Sequence, residues 1–92
     1  MNAQVEIPSA LQGFTNNQRV VQVPGGTVQD VFSSLLGQFD QLRNHLYDEK
    51  GKVRSFINIY VNDEDIRYAQ ELATPVNPGD TVHIIPSIAG GR

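Results

Sequence analysis

Thr27-Val28-Gln29-Asp30-Val31-Phe32-Ser33-Ser34-Leu35-Leu36-Gly37-Gln38-Phe39 carries the strongest periodic signal in the chain. Val28, Val31, Phe32, Leu35, Leu36 and Phe39 fall at i, i+3, i+4, i+7, i+8 and i+11, which puts them on one side of an α-helix. Thr27 with Asp30 is a capping signature. The hydroxyl accepts a hydrogen bond from a first-turn amide, and the carboxylate sits at the positive end of the helix. Gly37 weakens the helix near its end. An apolar stripe of this width needs a sheet to cover it.

Strand patterns flank the helix. On its N-terminal side, Ala3, Val5 and Ile7 alternate with Gln4 and Glu6, a half-buried strand ended by Pro8. Arg19–Val23 is a second strand, stopped by Pro24-Gly25-Gly26. The two form a hairpin around a polar loop, Gln12–Gln18. Gly25-Gly26 is a turn ahead of the cap. A phosphate site there would need a Lys or a longer glycine pattern, and Asp30 would repel the anion. On the C-terminal side, Gln41–Tyr47 forms a further helical turn with Leu42 and Leu46 inward. Asp48–Lys52 is a charged turn. Phe56–Val61 is a strand with Ile57, Ile59 and Val61 toward the helix and Phe56, Asn58 and Tyr60 away from it. Asn62–Asp65 turns the chain, and Ile66–Tyr68 returns as a short strand. Pro78-Gly79-Asp80 is a strong turn signal. Thr81–Ile85 is the last strand, with Val82 and Ile84 inward and His83 and Ile85 outward, ended by Pro86. The expected fold is α+β, a mixed sheet packed on one main helix. The expected division is a domain over 1–86 and a flexible C-terminal tail over 87–92.

Composition removes several functions. A chain of 92 residues makes one domain with a thin core. It has no Cys, which excludes disulfides, thiolate metal sites and Cys nucleophiles. Its net charge of −3 argues against nucleic-acid binding and fits docking on other proteins. No apolar run has membrane-spanning length, and Met1–Glu6 lacks signal-peptide character, so no membrane association and a cytoplasmic location are expected. His45 and His83 lack ligand-spaced partners, and Asp63-Glu64-Asp65 lacks the glycine and glutamate of a calcium loop, so no metal site is expected. Ser33, Ser34, Ser55 and Ser87 have no nucleophile-elbow context.

Two glycines, Gly90 and Gly91, stand beyond the last strand and Pro86. The stretch Asn77-Pro78-Gly79-Asp80-Thr81-Val82-His83-Ile84-Ile85-Pro86-Ser87-Ile88-Ala89-Gly90-Gly91 resembles the C-terminal signature of the ThiS/MoaD sulfur-carrier family. Phe56-Ile57-Asn58-Ile59-Tyr60-Val61-Asn62-Asp63-Glu64-Asp65-Ile66-Arg67 resembles that family's longer members, those of a thiocarboxylate route to cysteine. The resemblance covers nearly the full length and implies a ubiquitin-like β-grasp fold.

It also implies a mechanism. An E1-like (MoeB/ThiF-type) activating enzyme, using ATP and Mg, adenylates the C-terminal carboxylate of Gly91. The adenylate becomes a thiocarboxylate, and its sulfur passes to a sulfur-accepting synthase. A cysteine synthase type is the first choice, and the molybdopterin synthase large subunit the next. Ala89 and Gly90 complete the tail, which binds no cofactor itself, and because the catalytic groups lie on the partners the resemblance implies a carrier and not an enzyme. Glycine has no Cβ, so the end of the chain can enter a narrow active site. Phe56, Tyr60, His83, Ile85 and Ile88 are the candidate partner-docking residues, the first four on the outer face of the sheet. Arg92 departs from the family pattern. It is either a precursor residue removed by a processing metalloprotease or a remnant of expression, and it must leave before Gly91 can react. The alternative function is a protein modifier joined to target lysines through Gly91.

Overall fold

The structure is a computed structural model that describes residues 2–86. The strands are β1 (Asn2–Glu6), β2 (Val20–Pro24), β3 (Gly26–Thr27), β4 (Ile57–Val61), β5 (Glu64–Asp65), β6 (Pro75–Val76) and β7 (Thr81–Pro86). The α-helices are α1 (Val28–Gln38) and a single turn, α2 (Arg43–Leu46). One sheet runs in the order β2-β1-β7-β4-β5, and β3 pairs with β6 in a separate ribbon. β1 and β2 are the expected antiparallel hairpin, in register from Asn2–Pro24 to Glu6–Val20. β7 lies between β1, which it meets in parallel, and β4, which it meets antiparallel. This is the ubiquitin-like β-grasp arrangement that the sequence implied.

The helix begins where the capping signature places it. The Asp30 amide donates to Thr27 Oγ1 at 3.1 Å, and the Thr27 amide donates to Asp30 Oδ2 at 3.0 Å, a reciprocal capping box. Gly26 makes the entry possible. Its φ is +144°, and a Cβ there would stand 2.6 Å from Asp30 Oδ2, so any other residue would break the box. Val28, Val31, Phe32, Leu35 and Leu36 are buried against the sheet. Phe39 is only half-buried, because the helix ends at Gln38 and Phe39 leaves helical geometry. Leu42 and Leu46 are fully buried below it, as expected. From the sheet come Ala3, Val5, Val21, Val23, Ile57, Ile59, Val61, Val82 and Ile84, one face of each long strand.

Three local expectations are corrected. Ser9–Phe14, which runs into the expected polar loop Gln12–Gln18, is 3-10 helical and buries Leu11. Phe56 does not open β4. The Ile57 amide donates to the Arg54 carbonyl at 3.0 Å, so residues 54–57 form a turn and the strand begins at Ile57. Ile66–Tyr68 is a 3-10 turn and not a strand. Asn62, at φ 56°, turns the chain tightly enough that Glu64–Asp65 pairs back on Tyr60–Val61. Asp65 then ends the pairing by capping the next turn, accepting from the Arg67 amide at 2.9 Å.

Asp65 also holds Arg67 in a two-pronged ion pair, with Arg67 Nη2 2.7 Å from Oδ2 and Nε 3.2 Å from Oδ1. The Arg67 guanidinium and then its amide hold the Asp65 carboxyl below its ordinary value. A carboxylate with a depressed folded pKa adds stability above its unfolded pKa, and that stability is lost as pH falls through the folded value. Asp65→Asn should therefore flatten the acid limb of stability below about pH 4. Urea melts at neutral and acid pH test this; an unchanged acid slope in the variant would remove Asp65 as its source.

Candidate functional site

The last described strand, β7, runs through the middle of the sheet. β7 has a strand on each side: three residues in register with β1 and five with β4. Its start is fixed by a polar clamp. Asn62 Nδ2 donates to Asp80 Oδ1 at 3.1 Å, the Thr81 amide donates to Asn62 Oδ1 at 3.1 Å, and the Asn77 amide donates to Asp80 Oδ2 at 2.9 Å. Gly79 carries φ +90° within the Asn77–Asp80 turn, the position where Pro-Gly-Asp requires glycine. Its amide donates to the Asn2 carbonyl at 3.0 Å, and the Gln4 amide donates to the Asp80 carbonyl at 2.9 Å. The strand ends at Pro86, opposite Ile57. Ile88, Ala89, Gly90, Gly91 and Arg92, the expected reactive tail, lie outside the described residues.

Register brings most of the candidate docking residues together. His83 stands opposite Tyr60 on one side and Glu6 on the other, and Ile85 stands opposite Asn58. All of these side chains alternate with the buried set, so they occupy the face away from α1. Ile85 is 47% exposed; Tyr60 and His83 are half-buried. His83 Nδ1 lies 3.2 Å from Glu6 Oε1. Phe56 is separated from this row. It is 39% exposed and lines a 320 Å³ groove with Leu11, His45, Arg54, Ile57 and Pro86.

Two members of the outer face were not foreseen. Glu6 pairs with His83, and Val20, 37% exposed, sits beside Glu6 in register. Their outward phase was legible from alternation in β1 and β2. Their proximity to His83 depends on β1 lying beside β7, which no local pattern announces. His45 is stacked on Phe14 with ring centroids 4.3 Å apart. Among the described residues, no group of three His, Cys, Asp or Glu side chains is placed to hold a metal ion. No helix among them is long and apolar enough to cross a membrane.

Known proteins share this architecture and sequence. The chain is 42% identical over 93 residues to the sulfur carrier protein CysO of Mycobacterium tuberculosis, covering 99% of this chain and 100% of that one. The crystal structure of that CysO superposes with a TM-score of 0.87 at 39% identity, over 95% of this chain and 100% of the other. The Amycolatopsis orientalis BexX/CysO complex contains a chain matching at TM-score 0.87 and 36% identity, over 97% of this chain and 99% of that one. The small archaeal modifier protein 3 of Haloferax volcanii is 34% identical over 65 residues, 71% of this chain and 70% of its own length. The ThiS family profile matches residues 5–91, from the first strand through the second tail glycine, and the chain belongs to the ThiS family.

Proposed function

We propose that this protein is a sulfur carrier whose Gly91 carboxylate is converted to a thiocarboxylate for biosynthesis, with cysteine formation as the first choice of pathway. The observation that carries this is full-length similarity to a sulfur carrier protein, CysO, at 42% identity. The family match that includes Gly90-Gly91 accompanies it.

The chemistry divides between this chain and its partners. The Gly91 carboxylate oxygen attacks the α-phosphorus of ATP on an E1-like enzyme, with Mg neutralising the phosphates and pyrophosphate leaving. A sulfide-level sulfur then attacks the acyl carbon, a C–S bond forms, and AMP leaves with the C–O bond pair. This chain supplies the acyl carbon and its delivery. Activation splits a difficult transfer into two displacements with good leaving groups. From Pro86 to Gly91 the chain reaches roughly 17 Å at about 3.3–3.6 Å per residue, enough to enter a buried pocket while the sheet stays outside. The acceptor is an aminoacrylate held on a cysteine synthase that carries pyridoxal phosphate, and a metalloprotease releases the product. With Arg92 attached, Gly91 is an amide carbonyl and offers no carboxylate.

The test is intact-mass measurement after incubation with a cognate activating enzyme, ATP, Mg and sulfide. The chain ending at Gly91 should gain the mass of one oxygen-to-sulfur exchange, and the chain retaining Arg92 should gain nothing. Direct adenylation of the longer chain would refute the assignment of Gly91.

Tyr60, His83 and Ile85 form the surface through which the activating enzyme and the synthase hold the globule. A mixed polar and apolar patch beside the root of the tail suits transient association. Ile85→Glu should weaken partner binding by roughly tenfold or more, since it sets a charge in the apolar part of the interface, while leaving the melting temperature nearly unchanged. Calorimetric titration against a partner checks this; unaltered affinity would move the interface elsewhere.

Similarity to the small archaeal modifier protein 3 favours one second reading, a protein modifier attached through Gly91. That activity appears as high-mass adducts on target lysines, which a pure carrier never forms.

A further inference from the structure

The outer face of the sheet carries a row of side chains whose charge is one-sided. Val20, Glu6, His83 and Tyr60 stand opposite one another across β2, β1, β7 and β4. Adjacent strands lie about 4.8 Å apart, so the row spans roughly 14 Å. His83 apart, Glu6 is the single charged residue of this phase in those strands. Its same-face neighbours Gln4, Gln22, Thr81, Asn58 and Ile85 are all uncharged. Two cations flank the row without offsetting it. Arg19 has the opposite phase to Val20, and Arg67, within electrostatic reach of Tyr60, is already held by Asp65.

Glu6 is open to a further partner. Its side chain is 52% exposed, and the one polar contact of its carboxylate among the described residues is His83 Nδ1 at 3.2 Å. A carboxylate only accepts, so the imidazole keeps a hydrogen on Nδ1 and, when neutral, leaves Nε2 as a further acceptor. The row therefore offers acceptors on Glu6 and His83 beside two flat rings. A planar guanidinium suits this set. Its fork of N–H groups meets a carboxylate in two places, and its face stacks on an aromatic ring. An ammonium is a more strongly hydrated point charge and gives up more water to enter among Val20, Tyr60 and Ile85.

We propose that Glu6 is the charged anchor of the docking face, and that its counterpart is an arginine of the partner, paired with the Glu6 carboxylate and lying across His83 and Tyr60. Val20 and Ile85 flank the contact and keep water from it, which strengthens the pair. A partner that offers a carboxylate at this point is repelled, so the anchor also selects. The anchor rests on the reading of the outer face as the docking surface.

Calorimetric titration of a cognate activating enzyme with the full chain and with Glu6→Gln tests this. Glutamine keeps the shape and can still accept from Nδ1, but removes the charge. The variant should bind about tenfold more weakly or worse, with a shallower dependence on salt. Its melting temperature should not change, since an exposed pair adds little to folding. Equal affinity and equal salt dependence would overturn the anchor. A carbodiimide couples a carboxylate to a lysine amine that it touches but not to a guanidinium, so a Glu6 cross-link to a partner lysine would overturn the choice of arginine. Ile85→Glu separates the anchor from the wider reading. Lost binding there with Glu6→Gln unaffected keeps the docking face and removes the anchor, and unchanged binding in both removes face and anchor together. None of these readouts needs sulfur, so a chain that docks through Glu6 but never gains sulfur would sink the carrier reading alone.

Discussion

Gly91→Val, in a chain ending at residue 91, should lose thiocarboxylate formation by about 10²-fold or more relative to the glycine form. The reacting carbon is bonded directly to the Cα of residue 91, so a side chain there enters the activating site beside the α-phosphate. Valine adds a branched Cβ that restricts φ and ψ and thickens the chain where a glycine pair allows a partner's backbone to approach closely. An ångström of displacement at an in-line attack is enough to cost two orders of magnitude. The globule should be untouched, because the described fold closes by Pro86. Equal melting temperatures with unequal sulfur loading, by intact mass, is the expected pair of results. Equal loading would show that the partner's channel is wide, and the need for glycine would lose its physical basis.

Phe32→Ala should cost roughly 3–5 kcal/mol of folding stability. Phe32 is the largest side chain with no exposed surface, and it meets the Tyr47 ring edge-to-face at a centroid distance of 6.3 Å. Truncation loses the transfer free energy of the ring and leaves a cavity between α1 and the sheet. A domain of this size has about 5–15 kcal/mol in total, so the variant should melt well over 10 °C lower, at about 4–8 °C per kcal/mol. Phe39→Ala, at the half-buried end of the same stripe, should cost much less. Urea melts of both variants provide the comparison; a Phe32 penalty below that of Phe39 would contradict the packing of α1.

The helix, its cap and the hairpin were legible because each is written in neighbouring residues. The Thr27–Asp30 box needs three positions of separation, and the alternation in Ala3–Ile7 needs two. The inward and outward faces of β4 and β7 followed from the same pleat. The reach of the β1–β7 pair was not legible, since Glu6 and His83 lie 77 positions apart and no periodicity encodes which strands become neighbours. The β3–β6 ribbon was missed because two residues per strand give no pattern, and Pro75 argues against a strand. Ile66–Tyr68 misled for a different reason: Ile66 is apolar because it is buried beneath a 3-10 turn, and burial alone does not specify a ladder. For the site, Gly90-Gly91 was conspicuous in the sequence, whereas the groove at Pro86 draws walls from four separate segments and no one of them suggests it.

The parallel pairing of β1 with β7 also determines how the molecule answers a pull. A protease or transporter that draws on the carboxyl end while the amino end is held would tug these two strands in opposite directions along their length. Their hydrogen bonds would then be stretched together, in shear, instead of peeling one after another as in a hairpin opened from its ends. Resistance of that kind is kinetic, set by the rate of rupture under tension. A machine could strip residues from the end of this chain repeatedly and still release an intact globule.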